Sequence, residues 1–467
     1  MCGIHFRCQF IAMESFVKLT WAKKSIWIMF GALFGALIVV GTSVLAEEAT
    51  NGSETQQQVS LPLEELQAFV EVFNRISTDY VEEVEDKDLL EGAISGMLSS
   101  LDPHSAYLPP SNYKKMEEHT TGEFGGLGME VGMEDGFVKV ISPIDDTPAQ
   151  KADIKSGDLI IKLDDHPVKG KSLSDAVKLM RGKPGTQIKL TLIREGEEKP
   201  LVKTLTRAII KVNSVKGKLL KDGMGYIRVS QFQIRTGEDL VSTIKKLEAD
   251  NKGILNGVVL DLRNNPGGVL RAAVQVTDAF LDEGLIVYTK GRVRNAAMRF
   301  EAEAGDILQG RPIVVLINEG SASASEIVSG ALQDQGRALI LGRNSFGKGS
   351  VQTLLPLNNG GAIKVTTARY YTPSGRSIQA EGIVPDIKID QVKIEKINIE
   401  DLGRVKEKDL TGHLDGKDDV TQQQEDKRII DQELEAILAK DYELSEALNV
   451  LKGMYFSQKL QEVKNVR

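Results

Sequence analysis

The sequence predicts an α/β core preceded by a β-rich module and flanked by helical segments. Three observations predict it. Between residues 208 and 390, apolar runs of strand length ("GVVLDLRNN", "PIVVLIN", "ALILG") alternate with segments of helical period ("RAAVQVTDAFL", "ASEIVSGALQDQ"). That alternation marks helices layered on a sheet. Residues 118–207 hold short alternating runs separated by Gly-containing turns, as a compact β module does. Residues 61–117 and 391–467 carry apolar residues at helical spacing instead.

The 467-residue chain has room for several domains. Its 41% hydrophobic and 27% charged content is an ordinary globular balance. A net charge of -8 argues against a nucleic-acid partner.

Residues 1–46 stand apart. Lys23 and Lys24 precede an apolar stretch, Ile26 to Val40, and "VLA" follows, ending at Ala46. A positive region, an apolar region and a small-residue cut site predict a secretory signal peptide, and with it a bacterial periplasmic location. Left uncleaved, Ile26 to Leu45 is just long enough to anchor the chain in the inner membrane, facing the periplasm. Cleavage would remove Cys2 and Cys8, the only cysteines. The exported chain would then have no disulfide, no thiol chemistry and no cysteine metal site. Residues 47–60 are polar and aperiodic, as a linker is.

The elements follow in order. Leu66, Phe69, Val70, Phe73 and Ile76 predict one helix; Leu89, Leu90, Ala93, Ile94, Met97 and Leu101 predict a second, stopped by Asp102-Pro103. "GMEVGMEDGFVKVIS" predicts two strands around a turn at Glu134-Asp135-Gly136. A short helix, the Gly157-Asp158 turn and a strand come next. "SLSDAVKLMRG" predicts a helix capped by Ser172 or Ser174 and stopped by Gly182, and "GTQIKLTLIRE" a strand. Past residue 390, Asp415 to Asp426 is charged and glutamine-rich. Ile429, Leu434, Ile437 and Leu438, then Leu444, Leu448 and Leu451, predict helices for packing or assembly.

No histidine or cysteine lies in residues 211–390. Chemistry confined to that core therefore excludes a Ser-His-Asp triad and a cysteine nucleophile, and zinc would have carboxylates alone. "NEGSASASEIVSGALQ" places small residues between a strand and a helix. A serine there meets the free N–H groups and dipole of a helix N-terminus, which favour developing negative charge. Ser321, Ser323 and Ser325 compete for that role, and Ser323 with Glu326 also fits a capping box.

A serine without histidine needs another base, and lysine serves when neutral. Its pKa must fall from about 10.4 toward 7–8, roughly 4 kcal/mol of burial away from carboxylates. Lys348 qualifies, because no acid occurs from Gly342 to Leu357. A helix starting at Gly349 would put Gln352 one turn from Lys348. Two other readings stay open for Lys348. One is an exposed loop cation. The other is a phosphate loop, weakened because Gly349 replaces the hydroxyl residue that magnesium needs. In "DLRNNPGG", Gly267 and Gly268 let backbone N–H groups approach a substrate carbonyl, while Asp261 and Arg263 hold the turn. In "FGGLGMEV", the N–H groups of Leu127, Gly128 and Met129 can turn toward a carboxylate, and the next strand offers its edge to a peptide.

With "LDPHSAYL", "LMRGKPGT", "GSASASEI", "GRNSFGKGSVQT" and "GIVPDI", these blocks resemble the carboxyl-terminal processing peptidases, or tail-specific proteases, from about Leu61 to Asp390. The resemblance implies an α/β (α+β) protease core with an inserted β-rich PDZ domain and helical N- and C-terminal flanks. It implies a secreted serine endopeptidase with no cofactor and no metal, at work in envelope protein processing or turnover. Carried over by motif, Ser323 looks like the nucleophile, Lys348 the general base and Gln352 its orienting group. Ala324, with Gly267 or Gly268, would form the oxyanion hole. Leu127, Gly128 and Met129 would bind the substrate's terminal carboxylate. Val177 and Met180 would line the pocket for its last side chain, and Arg181 would couple binding to activation. The implied partners are protein substrates with exposed apolar C-termini, further copies of the chain through the helical flanks, and an adaptor protein.

Overall fold

The computed structural model describes residues 62–292, 297–390, 392, 411–412 and 441–465. The expected signal peptide and linker, and the stretch from Ile429 to Leu438, lie outside the described residues. The chain divides into two compact units at Leu89. The first contains α1 (Leu63–Asp79), with Glu64 and Glu65 in its first turn, where the helix dipole favours them. None of its residues is buried, although it is strongly amphipathic.

The helix α2 (Asp86–Ser99) runs into the second unit. The short strand β1 (Ala106–Leu108) and α3 (Pro110–Thr121) follow. Pro110 opens α3 where no N–H is needed, and Gly122 closes it in the left-handed region (φ 71°).

The β module begins with β2 (Glu123–Gly126), β3 (Met129–Glu134) and β4 (Phe137–Pro143). Asp135 and Gly136 both have positive φ, which suits the two-residue hairpin between β3 and β4. Then come α4 (Pro148–Lys151), β5 (Leu159–Leu163), β6 (His166–Pro167), α5 (Leu173–Met180), β7 (Gln187–Ile193) and β8 (Leu201–Thr206). Ser172 caps α5, its hydroxyl accepting the Asp175 N–H at 3.2 Å. Ile188, Leu190 and Leu192 of β7 alternate into the module's own core with Val138, Val140 and Ile160. The sheet order β3-β4-β5-β7-β8 leaves β3 at an edge. The strand β9 (Ala208–Lys211) returns to pair antiparallel with β2, so the chain leaves the module beside its point of entry.

The core sheet runs β10 (Val215–Leu219), β11 (Met224–Val229), β12 (Gly257–Asp261), β15 (Ile313–Ile317), β16 (Leu339–Gly342), β19 (Ile387–Lys388), parallel from β11 onward. The helices α6 (Thr236–Asn251), α7 (Leu270–Asp278) and α8 (Ala324–Asp334) connect its strands. "IVVLI" of β15 is apolar at every position because both faces are covered. Ile313, Val315 and Ile317 pack with Leu240, Val276 and Ile327 of the three helices. Val314 and Leu316 point the other way, toward Leu444, Leu448 and Leu451 of α9 (Tyr442–Asn465). The last helix of the tail therefore completes the core.

A second, antiparallel sheet has no counterpart in the sequence reading. It contains β1, β18 (Ala362–Tyr371), β13 (Leu285–Gly291) and β14 (Arg299–Glu301), with β17 (Ser350–Pro356) also paired to β18. No helix among the described residues is long and apolar enough to cross a membrane.

Candidate active site

The end of β15 and the start of α8 build the first wall of the site. The three competing serines separate by what their hydroxyls touch. Ser321 Oγ donates to the Leu262 carbonyl at 2.8 Å, and Ser325 Oγ to the Asn265 carbonyl at 2.9 Å; both residues are fully buried. Each ties the α8 entry to the Leu262–Asn265 turn. Ser323 alone lines a cavity of about 760 Å³. It sits at φ 54°, ψ −110°, a region that costs a non-glycine residue about 1–3 kcal/mol. The strained turn at a helix N-terminus presents the side chain to the cavity, much as a nucleophile elbow does.

Lys348 reaches the same cavity from the loop after β16. Burial lowers its pKa below the ordinary lysine value, and the nearby charge of Lys364 adds to this; Glu326 and Asp102 oppose it through space but do not win. A lysine with a depressed pKa can act as a base rather than as a cation.

Glu326 joins the two walls. Its side chain is buried, and its carboxylate oxygens accept four bonds. Oε2 takes the Ser323 N–H at 2.7 Å and the Lys348 N–H at 2.9 Å. Oε1 takes the Ser345 hydroxyl and the Gly347 N–H, each at 2.6 Å. The capping box read in the sequence is present, and its acid also holds the lysine loop. These contacts remove the phosphate-loop reading: the Gly347 and Lys348 N–H groups that a phosphate would need already face a carboxylate.

Gly267 and Gly268 approach from the end of β12. A Cβ on Gly267 would lie 2.7 Å from the Ala322 carbonyl and 2.8 Å from Ser323 Cβ; one on Gly268 would lie 2.1 Å from the Phe232 carbonyl. Only glycine fits either position. The Gly267 N–H is taken by Asn265 Oδ1 at 2.9 Å. Of the two candidate glycines, Gly268 is the one whose N–H has no acceptor among the described residues, as is the case for Ala324 at the first position of α8.

Gln352 lies on the cavity, but not as expected. Residues 350–356 form β17, not a helix, because they pair along β18. The Gln352 amide donates to Ser350 Oγ at 2.9 Å and Thr366 Oγ1 at 3.3 Å, and no bond to Lys348 is present. The cavity wall also extends beyond residues 211–390, since α3 contributes Lys115, Met116 and His119. The His119 ring bonds to the Gln231 amide. Tyr370, unmarked in the sequence reading, lines the cavity as well. Burial pushes its phenol up to about 12, so it stays neutral, and its hydroxyl interacts with the Ser323 side chain.

In the β module, Gly128 adopts φ 78°, and its carbonyl is held by the Ile144 N–H and the Thr147 hydroxyl. The Leu127 carbonyl accepts from Ala149. Leu127, Met129, Val177 and Met180 belong to one apolar cluster. Arg181 turns away from it. Its guanidinium pairs with Glu118 of α3 at 2.9 Å and lies over the Phe124 ring at 4.3 Å. No group of acids, histidines or cysteines among the described residues could hold a metal.

A PDZ module on a peptidase-like core with serine and lysine at one cavity defines the class. Residues 125–203 match the PDZ domain family, residues 223–389 match Peptidase family S41, and residues 28–111 match the activating protease CtpB N-terminal domain. The chain is 46% identical over 432 residues to a carboxy-terminal-processing protease of Bartonella bacilliformis, covering 92% of this chain and 96% of that protein. It is 38% identical over 323 residues to the carboxy-terminal processing protease CtpB of Bacillus subtilis, covering 68% and 66%. Among solved structures, a photosystem II D1 C-terminal processing protease aligns at 31% identity over 70% of this chain and 93% of that one, with a TM-score of 0.40. The chain belongs to Peptidase family S41, among the carboxy-terminal-processing proteases.

Proposed function

We propose that this chain is an extracytoplasmic endopeptidase that captures the C-terminus of protein substrates and cleaves nearby by a Ser-Lys mechanism. One observation carries the reading: Ser323, in a strained turn, and Lys348, with a depressed pKa, line one cavity. Neutral Lys348 Nζ takes the proton of Ser323 Oγ as the oxygen attacks the scissile carbonyl carbon. The N–H groups of Ala324 and Gly268 receive the oxyanion, a contribution typically worth about 10²–10³ in kcat per donor. The Lys348 ammonium returns the proton to the leaving amine. Water, deprotonated by the same lysine, then attacks the acyl carbon, and the lysine returns the proton to Ser323 Oγ as the acid product leaves.

The open edge of β3 supports capture of an extended peptide. The terminal carboxylate would meet the N–H groups of Leu127, Gly128 and Met129, and an apolar last side chain would sit against Val177 and Met180. Arg181, through Glu118 of α3, would carry occupancy of the module to the cavity wall. Cleavage after Ala46 would release the enzyme into the periplasm for envelope protein processing or turnover. The exposed apolar residues of α1 suit assembly with a second copy of the chain, and an adaptor would act on the PDZ module.

The test uses a peptide with an apolar free C-terminus and the full-length enzyme. Ser323→Ala and Lys348→Ala should each abolish cleavage without changing Tm. Full activity in either folded variant overturns the reading.

A further inference from the structure

The cavity that holds Ser323 and Lys348 is basic, in a chain whose net charge is -8. Lys364 of β18 and Lys115 of α3 line it together with Lys348. Among the described residues, no aspartate or glutamate lines it, and neither Lys115 nor Lys364 has an ion-pair partner. Glu118, on the same helix as Lys115, is taken by Arg181 of the β module. Neither amine has a step in the Ser323–Lys348 chemistry. A cleft lined by one sign of charge focuses its field and concentrates a ligand of the opposite sign.

The strands beside the cavity show how a substrate reaches these lysines. Among the described residues, β17 pairs only with β18, so its other edge is open. Val351, Gln352, Thr353 and Leu354 all line the cavity. A bulge brings Val351 and Gln352 onto it together, but Thr353 and Leu354 belong to opposite faces of the strand. The cavity therefore meets the open edge of β17, where an extended peptide can add as a further strand. Leu354 pairs directly with Lys364, so their side chains share a face. A peptide on the open edge lies two strand spacings from β18, about 10 Å. The flexible four-carbon stem of a lysine and the side chain of a glutamate, reaching toward each other, span that gap.

We propose that the cavity selects substrates with an acidic side chain close to the scissile bond, bound by Lys364 and Lys115. This rests on Ser323 and Lys348 acting as proposed above, and adds a second determinant to the apolar C-terminus. The terminal carboxylate goes to the β module; the cavity takes a carboxylate from within the chain. That carboxylate also acts on Lys348. Burial and then Lys364 hold the Lys348 pKa down, while Glu326 of α8 and Asp102, before β1, oppose them. His104 lies near both lysines, and Lys115, His119 and Tyr370 are the other titratable groups on the cavity. An acid paired with Lys364 offsets its repulsion, so Lys348 becomes neutral only at higher pH.

The experiment compares peptides of one sequence with Glu, Gln or Lys at each position flanking the scissile bond, as free acids and as C-terminal amides. The full-length enzyme and its Lys115→Met, Lys364→Met, Lys364→Glu and Lys115→Met/Lys364→Met variants are assayed on the pH plateau. The Glu-to-Gln ratio of kcat/KM is the readout, because damage common to both peptides cancels. At one position or more the ratio should be about 10, carried chiefly by KM, and should shrink as salt is added. It should fall toward 1 in the double variant, and Lys364→Glu should turn the preference toward Lys. The acidic limb of kcat/KM should lie at higher pH for the Glu peptide than for its Gln counterpart. A ratio of 1 at every position, a ratio unchanged in the double variant, or a gain that follows the free C-terminus instead of the side chain overturns the proposal. Should the double variant fail to fold, the single variants decide by the same ratio. Cleavage retained in Ser323→Ala or Lys348→Ala would instead overturn the underlying mechanism.

Discussion

Glu326 Oε2 accepts the backbone N–H of Lys348 at 2.9 Å while its other oxygen is held by Ser345 and Gly347. The same Oε2 binds the Ser323 N–H, so one buried carboxylate sets the separation of the two candidate catalytic loops. Glu326→Gln keeps the shape but supplies one acceptor oxygen for four donors. Leaving a buried donor unsatisfied costs about 1–3 kcal/mol. Denaturant unfolding should show at least that loss, with kcat falling alongside it. An unchanged midpoint and kcat would mean the carboxylate does not hold the loops.

The pH profile follows from Lys348. A base must be neutral, so activity rises as pH passes through its pKa. Burial lowers that pKa most, and Lys364 next; Glu326 and Asp102 raise it, and His104 lies close enough to feel its charge. Lys364→Met removes a repelling positive charge, so the Lys348 pKa rises and the acidic limb of kcat/KM moves to higher pH. A limb that stays put or moves lower contradicts the assignment.

Gly128 offers a test of capture. A Cβ there would lie 2.2 Å from Thr147 Cβ, and its φ of 78° is strained for any other residue. Gly128→Ala should raise KM for a peptide with a free C-terminus and leave an amidated peptide unaffected. Equal effects on both peptides would exclude a carboxylate role for the loop.

The tail contributes stability through Arg263. Its guanidinium binds Asp261 at 2.7 Å and reaches Asp441 and Glu443, at the start of α9, each at 2.7 Å. Removing one partner of a buried ion pair costs about 3–5 kcal/mol. Arg263→Ala should lower unfolding stability by that order. A change below about 0.5 kcal/mol, the size of an ordinary surface substitution, would mean α9 docks through its apolar face alone.

Much of this was legible in the chain. The apolar run of β15 and the helical period of α8 announced themselves, and the blocks "GSASASEI" and "FGKGSVQ" drew attention to Ser323 and Lys348. Local sequence could not choose among Ser321, Ser323 and Ser325, because the choice depends on the Leu262 and Asn265 carbonyls, some 60 residues upstream. A helix starting at Gly349 would put Gln352 beside Lys348, but nothing in the local sequence shows that residues 350–356 find a partner strand in β18. The same unseen sheet hid Tyr370 and Thr366, which meet the cavity wall and Gln352 on β18 once it pairs with β17. Leu444, Leu448 and Leu451 read as a helical stripe, but not as the cover for the far face of the core sheet.

The central claim is that Ser323 forms a covalent acyl-enzyme with Lys348 as its base. Acid-quenching the full-length enzyme during turnover of an apolar-ended peptide, followed by mass spectrometry, tests it most directly. The account predicts the N-terminal product attached to Ser323, and no adduct in Lys348→Ala. An adduct on another residue, or one that forms as fast without the Lys348 amine, would contradict it.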